Sequence, residues 1–117
     1  MILCVVEDLM FSMKISTAAR QLQRPLAFER SAANVVERVR AERPSLVIFD
    51  LNSAKLRPFD AISAIKNDPD LKTTRTLGYV SHVDAAAIAS ARAAGVDEVL
   101  ARSAFTERLG DILSSAS

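Results

Sequence analysis

Five short apolar segments punctuate the chain, at residues 2–6, 26–28, 46–49, 77–80 and 99–101, and the longer stretches between them carry helical spacing. Regular alternation of strand and helix predicts a parallel sheet, because parallel neighbours need a crossover long enough to hold a helix. The run Leu46-Val47-Ile48-Phe49 is apolar without polar alternation. That pattern marks a central strand covered by helices on both faces. The prediction is one α/β domain over residues 1–117, a doubly wound five-stranded parallel sheet flanked by five helices.

The first helix is expected over residues 9–22, with Ile15, Ala18, Ala19 and Leu22 on its inner face. The second follows Ser31 as N-cap and buries Val35, Val36 and Val39 before Pro44 forbids continuation. Pro58 suits the first turn of the third, which carries Ala61, Ile62 and Ile65 and stops at Asn67-Asp68-Pro69-Asp70. An alanine-rich fourth helix runs over residues 84–94 to Gly95, a natural left-handed C-terminal residue, and Ser81 with Asp84 has the spacing of a capping box before it. A fifth helix closes the chain, with Ser114-Ser115-Ala116-Ser117 expected to fray.

Composition narrows the function classes. Half of the 117 residues are apolar, enough for one respectable core. Fifteen basic residues against fourteen acidic ones leave a net charge of +1, so no overall field draws the molecule to nucleic acid or to an anionic membrane. The single cysteine, Cys4, sits in the first apolar run, which predicts a buried thiol and a reducing cytoplasm. No apolar stretch is long enough to span a bilayer. The three glycines, Gly78, Gly95 and Gly110, leave the turn after the first strand without the residues that let a backbone approach a dinucleotide or nucleoside triphosphate, which argues against a metabolic enzyme.

In doubly wound sheets, ligands sit beyond the carboxyl ends of the strands. Here those ends carry Glu7-Asp8, Asp50-Leu51-Asn52, Ser81-His82 and Arg102-Ser103. Three carboxylates at ~4 Å separations repel by about 4 kcal/mol per pair at an effective dielectric near 20, a cost a bound cation relieves, and Mg2+ suits such oxygen donors. Asp50 is then a candidate nucleophile for a phosphoryl group. Glu7 and Asp8 also suit the positive end of the first helix. His82, the only histidine, lies too close in sequence to Ser81 and Asp84 for a catalytic triad and is not expected to act as a phosphorelay histidine.

Three segments, Val5-Val6-Glu7-Asp8, then Leu46-Val47-Ile48-Phe49-Asp50-Leu51-Asn52, then Ala93-Ala94-Gly95-Val96-Asp97-Glu98-Val99-Leu100, resemble the ordered signatures of response-regulator receiver domains. The resemblance covers nearly the whole chain and implies the flavodoxin-like receiver fold. It further implies that Glu7 and Asp8 bind Mg2+, that Asp50 ligates the metal and accepts phosphate, that the backbone carbonyl of Asn52 completes the protein ligands, and that Ser81 is the switch hydroxyl. Arg102 stands where the family usually has a phosphoryl-contacting lysine, Ser103 replaces the following proline, and Val99 holds the aromatic switch position. The Met-Pro and Asp-Gly pattern after the acceptor is replaced by Ser53-Ala54 and Arg57-Pro58, and the loop after Ser81 is one residue short. Implied partners are a histidine kinase or phosphotransfer protein and a downstream protein on the face formed by the fourth helix, fifth strand and fifth helix, with a homodimer also allowed and no nucleic acid or membrane. Two functions follow: a stand-alone phosphoacceptor in two-component signalling, or a degenerate pseudo-receiver that binds partners without phosphorylation.

Overall fold

The structure is a computed structural model and describes residues 1–81 and 84–116. The elements, in chain order, are β1 (Ile2–Val5), α1 (Leu9–Gln21), β2 (Leu26–Phe28), α2 (Val35–Glu42), β3 (Leu46–Asp50), α3 (Pro58–Asn67), β4 (Arg75–Val80), α4 (Ala85–Ala94), β5 (Glu98–Ala101), α5 (Arg102–Glu107) and α6 (Leu109–Ser115), with 3-10 turns at Ala32–Asn34 and Ala54–Leu56. All strand pairs are parallel, in the order β2-β1-β3-β4-β5. The order reverses at β1, whose neighbours are β2 and β3. That reversal opens a crevice above the carboxyl ends of β1 and β3.

The two faces of the sheet make two cores. Ile2, Cys4, Leu46, Ile48, Leu77 and Tyr79 face α1, α5 and α6, whose Phe11, Ile15, Phe105 and Leu113 complete that layer. Leu3, Val5, Val47 and Phe49 face α2, α3 and α4, with Val39, Ile62, Ile65 and Ala91. Every residue from Leu46 to Phe49 is fully buried. Each such side chain contributes about 1.5–3 kcal/mol of transfer free energy, which is why an unbroken apolar run fixes the middle of the sheet.

Several expectations need adjustment. The predicted fifth helix is two, pinched at Arg108, where one N–H is shared between the carbonyls of Ala104 and Thr106. The apolar face nevertheless runs on through Phe105, Leu109, Ile112 and Leu113. Its end does not fray: Ser114 and Ser115 are helical and Ala116 is buried, whereas Ser117 lies outside the described residues. Leu22 ends up 39% exposed past the last turn of α1, and Phe11 takes the inner face one turn before Ile15. Val36 is only half-buried.

Caps also moved. Ser31 makes no side-chain cap; its own N–H donates to Glu29 Oε2, and a 3-10 turn precedes α2. Asp84, rather than Ser81, caps α4 by accepting from the Ala87 N–H at 3.0 Å. At the other end of α4, Gly95 has φ +101°, a conformation that costs any residue with a Cβ about 1–2 kcal/mol. Among the described residues no helix is long and apolar enough to cross a membrane.

Candidate functional site

Glu7 and Asp8 follow β1 after Val6, Asp50 ends β3, Asn52 and Ser53 lie in the loop after it, Ser81 follows β4, and Arg102 opens α5 straight after β5. Parallel register alone therefore delivers every predicted site residue to one edge of the sheet. The loop after β3 is pinned from below: the Leu51 N–H donates to the Tyr79 carbonyl at 3.0 Å, and the Leu51 side chain covers Gly78. A Cβ at Gly78 would stand 2.6 Å from Leu51, so this glycine makes room for the loop that follows Asp50.

Each carboxylate has a protein partner. Asp8 Oδ1 accepts from the Phe11 N–H at 3.1 Å as the N-cap of α1, and Oδ2 meets Arg102 Nη2 at 3.5 Å. The Phe11 N–H, helped by Arg102, holds the Asp8 carboxyl below the usual carboxylate range. Glu7 Oε2 accepts from Ser53 Oγ at 3.1 Å, and Oε1 lies 4.0 Å from Lys55 Nζ. Asp50 Oδ1 accepts from the Asn52 N–H at 3.0 Å, and no described residue donates to its second oxygen. Burial pushes the Asp50 carboxyl up from its ordinary value, with the negative charges of Asp8 and Glu7 adding to it against Asn52 and Arg102.

The structure draws Ser81 and Asn52 together: the Ser81 N–H donates to Asn52 Oδ1 at 2.6 Å. Ser81 itself is exposed. His82 and Val83 lie outside the described residues. The Arg102–Ser103 bond is trans, as its serine suggests, and both residues are already helical. Val99 is half-buried and lines a groove of about 350 Å³ between α4 and β5, together with Ser81, Ile88, Arg92 and Arg102.

Sequence reasoning missed three contributors. Phe11 carries the Arg102 guanidinium over its ring, with Cζ 4.0 Å from the centroid. Ser53 and Lys55 occupy Glu7. Phe11 had a signal, its position one turn before Ile15 on the inner face; the pairings of Ser53 and Lys55 depend on loop geometry and had none.

The donor set is tested by this geometry. Carboxylate and carbonyl oxygens have the right chemistry for a hard cation. Yet among the described residues no three His, Cys, Asp or Glu side chains are grouped together, and the Asp8 oxygens already meet the Arg102 guanidinium and the helix terminus. As arranged, the residues do not fit a divalent ion.

No family model matches the sequence, and no curated protein matches it. Solved structures do. A response regulator from Hahella chejuensis superposes with a TM-score of 0.86 at 20% identity, covering 98% of this chain and 92% of its own. The chemotaxis response regulator CheY4 of Vibrio cholerae gives 0.81 at 16% identity, covering 99% and 97%. The Mn2+-bound form of response regulator Rcp1 gives 0.81 at 18% identity, covering 97% and 91%. The chain therefore has the receiver fold across its whole described length, as its sequence signatures imply.

Proposed function

We propose that this chain is a receiver-type signalling protein, not an enzyme, that accepts a phosphoryl group on Asp50 from a histidine kinase or phosphotransfer protein in two-component signalling. One observation carries the reading: Asp50 ends the central strand β3 with one oxygen oriented by the Asn52 N–H and the other without a described donor. An oriented carboxylate with a spare oxygen at a sheet edge is a nucleophile waiting for an in-line partner.

In the transfer, an Asp50 oxygen attacks phosphorus of the donor phosphohistidine. The P–N bond breaks, its electron pair returns to the imidazole nitrogen, and that nitrogen takes up a proton. Arg102 supplies positive charge beside the developing oxyanions, while Asn52 fixes the nucleophile. The family's Mg2+ would supply further charge neutralisation when bound. The modified site then signals through α4, β5 and α5, where one groove is lined by Ser81, Arg92, Val99 and Arg102 together. The downstream partner is a protein, or a second copy of this chain, on that face. Such a relay works in the cytoplasm, where the kinase's phosphorylated domain resides.

A second reading, a phosphorylation-independent interaction module, is favoured by the partners already taken by Glu7 and Asp8. Beryllofluoride titration by NMR, with and without Mg2+, on wild type and Asp50→Asn separates the two. The acceptor reading expects saturable shifts around Asp50 and Ser81 that vanish in the variant. Identical behaviour of the two proteins contradicts it, and partner binding untouched by Asp50→Asn but weakened by substitutions on α4 or α5 supports the second reading.

A further inference from the structure

The acidic edge is met by the protein's own cations. Asp8 uses both oxygens, one on the terminus of α1 and one on Arg102. The guanidinium in turn rests 4.0 Å above the Phe11 ring, and Phe11 is buried and braced by Tyr79 at 5.0 Å and Phe105 at 5.8 Å between centroids. A guanidinium held over a braced aromatic face and against a carboxylate is fixed from two sides, which an ammonium on a flexible stem is not. Lys55 stands beside Glu7 as a second positive charge.

We propose that Arg102 is the resident cation of this site: it holds the place a divalent metal would need at Asp8 and itself supplies positive charge to a phosphoryl oxyanion on Asp50. The second half rests on the acceptor reading above; the first half does not. The guanidinium carries five donors in a rigid fork, so contact with Asp8 leaves others for phosphoryl oxygens. A divalent ion entering at ~4 Å from this charge meets a penalty of about thirtyfold in affinity even in a medium as polar as water, and it must also take Asp8 from its partner. The site thus trades an exchangeable metal for a built-in charge.

Magnesium titration of wild type, Arg102→Gln and Arg102→Lys, followed by amide NMR that also reports folding, tests the first half. Arg102→Gln is expected to bind Mg2+ about tenfold or more tighter than wild type. Arg102→Lys, which keeps the charge but lacks the planar fork, is expected to fall between them and serves alone should the glutamine variant unfold. Equal affinity of wild type and the folded variants overturns the proposal. Acetyl phosphate labelling of Asp50 in parallel tests the second half: equal labelling of wild type in Mg2+ and in a chelator supports it, and labelling that requires Mg2+ overturns it. Separated affinities without labelling of Asp50 in any condition sink the acceptor reading and leave the exclusion of metal standing; labelling with coincident affinities does the reverse.

Discussion

The two edges of the sheet carry carboxylates in opposite states. At the amino edge, Asp97 Oδ2 accepts from Lys66 Nζ at 2.8 Å, from the Thr76 N–H at 2.8 Å and from Thr76 Oγ1 at 3.0 Å. Thr76 is fully buried and its hydroxyl accepts the Asp97 N–H in return, while Lys66 also donates to the carbonyls of Lys72 and Thr74. At the carboxyl edge, Asp50 accepts one hydrogen bond. The Asp8–Arg102 contact is longer, at 3.5 Å, and half-exposed. A carboxylate that ties α3, β4 and β5 together uses its lone pairs; one that must meet another molecule keeps some. The same residue type thus reads as a clamp at one edge and as a site at the other.

That contrast can be broken from the clamp side first. Asp97→Ala leaves the buried Thr76 N–H without its acceptor and is expected to cost about 1–3 kcal/mol, read as a lower denaturant midpoint at unchanged slope. A loss below the error of the measurement would show that the clamp is ornamental. Asp8→Ala should cost less, because it removes one N-cap of α1 and an exposed ion pair. Arg102→Gln is expected to change stability by under about 1 kcal/mol, since its partners are half-exposed, while changing the behaviour of the site. Calorimetric melting of the three variants should therefore rank them in this order, and a reversed ranking would erase the distinction between edges.

The smallest effect is on pH dependence. Burial pushes the Asp97 carboxyl up, but Lys66 and Thr76 together outweigh it and hold it below its ordinary value. A depressed folded-state pKa gives stability that is fully present above the unfolded value near ~3.9 and is lost as pH falls through the folded one. The stability gap between wild type and Asp97→Asn should stay level above about pH 5 and narrow below about pH 4. A gap that widens on acidification would contradict this assignment.

Much of the frame could be read directly from the chain. The unbroken Leu46-Val47-Ile48-Phe49 run, Pro44 before it and Gly95 after α4 act locally, through periodicity, a missing N–H and a positive φ, so their meaning survives without tertiary context. Placing Glu7, Asp8, Asp50, Asn52, Ser81 and Arg102 at one edge needed only a parallel sheet. What escaped was pairing between distant segments. The Asp97 clamp depends on side chains from α3 and β4, the seat of Arg102 depends on a phenylalanine in α1, and the cap of α4 fell to Asp84 because a serine and an aspartate of similar capping ability compete within one loop. The split at Arg108 was equally hidden, because the apolar face continues across it.

The most direct test of the account is the intact mass of wild type and Asp50→Asn after incubation with acetyl phosphate, followed by peptide mapping. One phosphoryl increment is expected on wild type, located at Asp50 and absent from the folded variant. An unmodified wild type, or an increment that persists when Asp50 is replaced, would contradict it.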